Sequence, residues 1–348
     1  MRKLLLPSLF ALFISLTGWS QTIDPSFNPK LLQYGAIRSA IPVADNKIIV
    51  GGLFNYANSV SVNGIARLNA NGTVDGSFDA GTGADGEVKK VLQASGGKLI
   101  VVGSFKNFNG VAARGVVRLN ANGSIDATFN ADVEVNRGIE TAAIQSNGKV
   151  IVAVGQTYGS YTIYHTLKRL NGDGSLDDTF HTPVSDEVGQ IFHMNIVTND
   201  KILVGGYFGN YDGLEGANQI VRLKANGVID DTFSANMSYD FGSYPRTMAL
   251  LADGKMLIYT NTGIKRINEN GSADGTFAPA NSITGYTNIV ANDDGSFFTA
   301  TSTSINRYSA AGALLNSINV GDGLPHHDIE CVGIGYQGAA VGSAEDRI

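Results

Sequence analysis

The chain has 348 residues, of which 16% are charged, 43% are hydrophobic and 43 residues are Gly, with a net charge of -6. That balance excludes a nucleic-acid or anionic-membrane surface, since both need basic patches and no Lys/Arg run exceeds a pair. The one cysteine, Cys331, lies in an apolar stretch, so no intramolecular disulfide forms and stability must come from packing.

In chain order, Arg2 and Lys3 come first, followed by an apolar run from Leu4 to Leu16. Gly18 and Ser20 are small residues at the -3 and -1 positions for a cut before Gln21. This predicts a signal peptide over 1–20 and an exported bacterial protein, periplasmic, secreted or on the cell surface. About 16 apolar positions fall short of the roughly 20 that a membrane span needs, and no later stretch is a candidate. No stable membrane span is therefore expected after cleavage, nor a lipid anchor, because no Cys follows the apolar run.

Residues 21–348 read as one repeat domain. RLNANGTVDGSF starts at Arg67, RLNANGSIDATF at Arg118, RLNGDGSLDDTF at Arg169, RLKANGVIDDTF at Arg222 and RINENGSADGTF at Arg266. A degenerate copy, RYSAAGALLNSI, starts at Arg307. Each is preceded by a second signature such as NKIIVGG at Asn46 or GKLIVVG at Gly97. Every unit then holds four strand-like runs, in unit one Ile37–Val43, Lys47–Phe54, Ile65–Asn69 and Thr73–Phe78. Asp45-Asn46 joins the first two and Asn71-Gly72 the last two, residues that tolerate hairpin turns. The second run is apolar at consecutive positions, which predicts burial on both faces.

The termini read as two pieces of one further unit. TIDPSF at Thr22 matches the fourth strand TVDGSF at Thr73. Residues 329–348 match the first three strands, with Arg347 at the position of Arg67. Six intact units plus one split unit predict an all-β, seven-bladed β-propeller of four-stranded antiparallel blades, with strand 22–27 closing the last blade and removing open edges. A six-bladed ring is the alternative. The pairing of a GKIIVGGxF-type strand with RLNANGSIDxTF resembles the delta-60 repeat, a family of bacterial propeller repeats. The resemblance covers nearly all of 21–348 and weakens in units six and seven. It implies an exported propeller and supplies no catalytic set.

Arg67, Arg118, Arg169, Arg222, Arg266, Arg307 and Arg347 recur at one position, and Asp24, Asp75, Asp126, Asp177, Asp230 and Asp274 at another. Repetition around a ring points to structure, with Arg and Asp meeting across the hairpin or between blades. Unit six departs from the pattern, with Leu315 for the Asp and Ile318 for the Phe. NGDGSLDD at Asn171 is a poor calcium loop, because Arg169 would occupy the first ligand position. The two GxGxxG matches, Gly81–Gly86 and Gly333–Gly338, precede strands rather than a helix N-terminus, so they do not predict a nucleotide cofactor. His326, His327 and Asp328 do not converge in an extended segment. No cofactor and no metal ligand set is predicted.

The loops between second and third strands are long in units one to four and short in five to seven, which makes one face uneven. They carry Phe54, Tyr56, Phe105, Phe108, Tyr158, Tyr161, Tyr164, Tyr207, Phe208 and Tyr211. The loop after unit four adds Tyr239, Phe241, Tyr244 and Arg246. The binding candidates are Tyr239, Phe241, Tyr244, Arg246, Tyr158, Tyr161 and Tyr211, side chains suited to stacking on a glycan or anchoring a protein. With no catalytic constellation, the expected function is a non-catalytic interaction or adhesion scaffold for a protein or glycan. A carbohydrate or small-molecule binding propeller is the alternative. A lyase or glycosidase would need acids converging at the central mouth, where Asp186, Glu187, Asp240 and His193 are the candidates and show no pairing.

Overall fold

The structure is a computed structural model. It describes residues 31–32, 36–158, 162–181, 189–208, 210–211, 214–215, 219–234, 245, 247–260, 263–277, 288–300, 304–319, 332–334 and 340–342. The repeat units fold as successive antiparallel sheets. Unit one pairs Ala36–Val43 with Lys47–Leu53 and that strand with Ile65–Leu68. The first, second and third strands of units two to five follow the same order. Unit six forms a four-stranded sheet, and Val332–Ile334 pairs with Ala340–Gly342.

The second strands explain the layering. Lys47–Leu53 buries its five central residues and Leu99–Gly103 buries all of its residues, so both faces of each sheet are covered. Their β-branched side chains interleave with the neighbouring sheet on either side. Ile49, Val101 and Val117 pack with Val88 and Val91 between units one and two. Ile100 and Val102 pack with Ile139 and Val152 between units two and three. Ile151, Ala153 and Leu167 meet Ile191 and Ile202 between units three and four. Each buried Val, Leu or Ile contributes about 1.5–3 kcal/mol. The core is thus a series of face-to-face seams, the packing of a propeller.

First strands lie side by side from unit to unit, and Val332–Ile334 lies against both Asn288–Ala291 and Ala36–Val43. In units one to four this strand carries a bulge, displacing Arg38, Lys89, Glu140 and Phe192 from the ladder. Bulges re-aim side chains, here along the line where the first strands of successive units meet. A Cβ on Gly52, Gly103 or Gly206 of the facing strand would strike a first-strand carbonyl, which accounts for the glycine of the second signature.

The fourth strand corrects the expectation of four full strands per blade. In units one to five it shrinks to a single bridge, Leu68 to Val74 in unit one and Leu119 to Ile125 in unit two. The chain then turns at the repeated Asp, and in unit four it forms the short helix Asp231–Ser234. Among the described residues only unit six has a full fourth strand, Leu314–Asn319. The turns at Asn-Gly also differ from a paired positive-φ turn. Of Asn71 and Gly72 only Gly72 takes positive φ, and the Asn71 side chain accepts from the Thr73 backbone N–H.

Candidate functional site

Two constructions occupy the repeated polar residues and the uneven loops. The first is a clamp in units one to five. The Asp backbone N–H donates to the Arg carbonyl at 2.8–2.9 Å, which sets the carboxylate beside the guanidinium eight residues earlier. Arg Nε donates to Asp Oδ2 at 2.6–2.7 Å in all five pairs, Arg67–Asp75, Arg118–Asp126, Arg169–Asp177, Arg222–Asp230 and Arg266–Asp274. A second-strand Lys donates to the same oxygen, as Lys149 does to Asp177 at 2.6 Å. Oδ1 accepts from the Ser or Thr hydroxyl two residues on, 2.6 Å from Thr179 in unit three. The guanidinium also stacks on the Phe that ends the signature, 4.8 Å from the Phe180 ring centre for Arg169.

The clamp also ties units together. Arg67 Nη1 donates to the Ala121 carbonyl of the next unit at 2.7 Å, Arg118 to Gly172 at 2.6 Å and Arg169 to Ala225 at 2.7 Å. Arg222 reaches Glu269 and Arg266 reaches Ala310 in the same way. The turn Gly of the next unit lies in this contact. Gly174 has φ +91°, and a Cβ there would sit 2.6 Å from the Asn130 backbone. These donors hold the five carboxyls well below the usual carboxylate range. The Lys hydrogen bond leads at Asp75 and Asp126, and the Thr276 hydroxyl leads at Asp274. At Asp177 and Asp230 burial opposes the shift most strongly, and the Lys, Arg and Thr donors outweigh it.

Unit six has lost the clamp. Ser296 stands at the Lys position, and Arg307 Nε is buried with no hydrogen-bond partner. Leu315, at the Asp position, is exposed. The remaining members of the two repeated sets, Asp24 and Arg347, lie outside the described residues.

The second construction is the raised face. Interblade loops and the loops between second and third strands share it, as antiparallel strands require. Hairpins rise from three units, Tyr56–Ala57 with Val60–Ser61, Asn107–Phe108 with Val111–Ala112, and Asn210–Tyr211 with Leu214–Glu215. Leu31–Leu32 pairs with the first. Unit three instead extends both strands, Val150–Tyr158 and Thr162–Leu170. The interblade loop after unit one is pinned between two hairpins. Asn63 donates to the Thr82 carbonyl at 2.7 Å, and the Lys106 and Asn107 backbone N–H groups donate to Asp85 at 2.8 and 2.9 Å. A cleft of about 240 Å³ opens there between Leu53, Asn55, Asn63 and Asp85.

Phe54, Phe105, Phe108 and Phe208 are buried beneath these hairpins. The exposed apolar side chains on the same face are Leu53, Tyr56, Val60, Val111 at 55% and Tyr207 at 60%. Leu53, Val60 and Val111 carry no sequence signal, because an apolar residue in a strand-like run reads as core, yet they and the equivalents of Leu53, Ser104 and Tyr207, are exposed. Of the sequence candidates, Tyr158 ends an extended strand and Tyr211 sits in a hairpin. Tyr161, Tyr239, Phe241, Tyr244 and Arg246 lie outside the described residues, as do Asp186, Glu187, Asp240, His326, His327, Asp328 and Cys331. Asp173, in the calcium-like segment, accepts from the Ser175 N–H and hydroxyl of its own turn. Among the described residues no group of three or more His, Cys, Asp or Glu could hold a metal ion, and no helix is long and apolar enough to cross a membrane.

Comparison with known proteins places this architecture in a class. Solved structures that share it include the WD40 β-propeller domain of Doa1, with a TM-score of 0.61, 16% identity, and 91% of this chain and 92% of that chain covered. A chain of the mitotic checkpoint complex aligns with a TM-score of 0.57, 10% identity and coverage of 98% and 96%. PorZ of Porphyromonas gingivalis, an essential bacterial surface component of the type-IX secretion system, aligns with a TM-score of 0.55 and 11% identity. That alignment covers 86% of this chain and 44% of PorZ. The protein is an all-β propeller. Residues 44–78, 95–129, 145–180 and 198–233 match the model of a β-propeller domain of unknown function, DUF5122. No curated protein matches the chain in sequence.

Proposed function

We propose that the protein is an exported, non-catalytic binding scaffold: a seven-bladed propeller of the delta-60 repeat type whose raised face docks a protein or glycan. One observation carries the reading. The repeated charges are engaged in the frame of units one to five, while exposed apolar side chains gather on the hairpins of one face. An uneven patch on a regular frame suits one partner better than several equal sites. Ring closure is supported by Val332–Ile334 lying against the first strands of both unit six and unit one. The match of 22–27 to the fourth strand supports a split last blade. Export rests on the signal-peptide pattern of 1–20.

The test compares two variants of residues 21–348 as bait for cell-surface extracts and a glycan array. One carries Val111→Lys and Tyr207→Lys on the raised face. The other carries Leu176→Lys and Val228→Lys on the outer hairpins, also exposed. A partner identified with the parent protein should be lost only with the first variant. Equal retention by both removes the raised face from the reading. A reporter fused to residues 1–25 should be exported, and its retention in the cytosol would remove the export.

A further inference from the structure

The first strands place one polar residue at an equivalent register in each described unit: Ser39, Lys90, Thr141, His193, Thr247 and Asn288. In units one to four it follows the bulged residue, at the end of the strand nearest the raised face. Several of these side chains reach the next unit. Val91 N–H donates to the Ser39 hydroxyl at 3.0 Å, Lys90 Nζ donates to the Thr141 hydroxyl at 3.2 Å, and Thr247 lies 3.4 Å from Asn288 Oδ1. They form a polar collar where the first strands meet. Ser39, Thr141 and Thr247 are buried, whereas Lys90, His193 and Asn288 keep partial exposure, which marks the opening along the axis.

Lys90 is the odd member. The charges around it are matched to one another, Arg38 to Glu87 at 2.7 Å and Lys89 to Glu140. Lys90 has no carboxylate partner among the described residues, and the Thr141 hydroxyl is its one hydrogen-bond acceptor there. An ammonium has three N–H donors, so two find no acceptor among the described residues. Its chain neighbours Val88 and Val91, and Ile139 and Ala142 on either side of Thr141, are buried apolar residues. Burial holds the ammonium down to about 8, so at neutral pH it stays mostly charged in poorly solvated surroundings. The repeated Lys and Arg cations of units one to five, by contrast, each have their carboxylate.

We propose that the axial mouth binds a carboxylate on Lys90. One monoanion neutralises one ammonium and leaves no residual charge in a weakly solvated place, whereas a phosphate near neutral pH carries more charge than the site offsets. The Thr141 hydroxyl accepts from Lys90 and has its own proton to donate to the same anion, a charge-assisted arrangement. The source is either a free small acid or the end of a peptide chain. The site stands independently of whether a partner docks on the raised face.

Residues 21–348 are titrated with acetate, triglycine and triglycinamide against chloride at equal ionic strength. Unfolding midpoint and the ¹⁵Nζ shift of Lys90 are followed in the parent protein, Lys90→Met and Thr141→Val. Acetate or triglycine should raise the midpoint saturably and move the Lys90 signal, with the midpoint response abolished in Lys90→Met and weakened at least tenfold in affinity in Thr141→Val. A response to acetate assigns a small acid. A tighter response to triglycine than to acetate, absent with triglycinamide, assigns a chain end. The same midpoint response in Lys90→Met as in the parent, or no saturable response to either probe, overturns the site. If Lys90→Met does not fold, the ¹⁵Nζ titration of the parent protein decides alone.

Discussion

Units one to five and unit six share a strand order but end differently. In the five, Asp at the eighth position after Arg turns the chain by accepting from the residue two further on, and the fourth strand is cut to one bridge. In unit six Leu315 cannot accept, the chain stays extended, and Leu314–Asn319 pairs along the whole third strand. The same substitution strips Arg307 of its acceptor. One residue thus sets both the outer edge of a blade and the fate of its arginine. The clamp acts as a turn device and a link between units at once, since Arg of one unit donates to the turn carbonyl of the next.

Four experiments sharpen that comparison. The largest effect is expected from Asp177→Leu, which gives unit three the residue of unit six and leaves Arg169 and Lys149 without their shared acceptor. Breaking a buried pair this way costs about 3–5 kcal/mol, read as a lower urea midpoint. A loss under about 1 kcal/mol would mean the clamp ornaments the hairpin rather than holding it. Gly174→Ala comes next, with a positive φ and a Cβ pressed on the Asn130 backbone. An expected loss of about 1–3 kcal/mol in the same assay separates the turn from the ion pair.

Leu315→Asp is the converse, offering Arg307 Nε a carboxylate. It should raise the stability read from urea unfolding by about 1–2 kcal/mol, and solvent exchange at the backbone amides of 316–319 should quicken as the full strand becomes a turn. Unchanged stability and exchange would show that the neighbours of unit six, not Leu315, set its fourth strand. The smallest effect is in pH. The five clamp carboxyls are depressed in the folded protein, so their contribution is fully present above the ordinary Asp range near 4 and is lost as pH falls through their folded values. Acid unfolding followed by circular dichroism should therefore be shallower for Asp177→Leu than for the parent protein, by the slope of one group.

The sequence carried the frame because each signature is a local instruction. GKIIVGG states a strand buried on both faces, and Asn-Gly states where the hairpin turns. The recurrence of Arg67 and Asp75 in unit after unit marked them as parts of a scaffold. The shortening of the fourth strand was less legible, although its cause, the Asp with a Ser or Thr two residues on, is visible in every intact copy. Alternation of apolar residues alone does not distinguish a strand from a turn stabilised by one side chain. The raised face was legible as loop length and aromatic content. Leu53, Val60 and Val111 were not, because an apolar residue in a strand reads as core until its neighbours are placed.

Sequence by itself determined the repeat, the strand order within a unit and the residues that had to meet, since hydrogen-bond registers and turn geometry act over a few residues. Tertiary structure decided which unit each arginine reaches, which apolar side chains remain exposed, and that Lys90 stands in the collar without a carboxylate among the described residues. Those outcomes depend on how successive sheets face one another about an axis, and residues some 50 positions apart come together only through that packing.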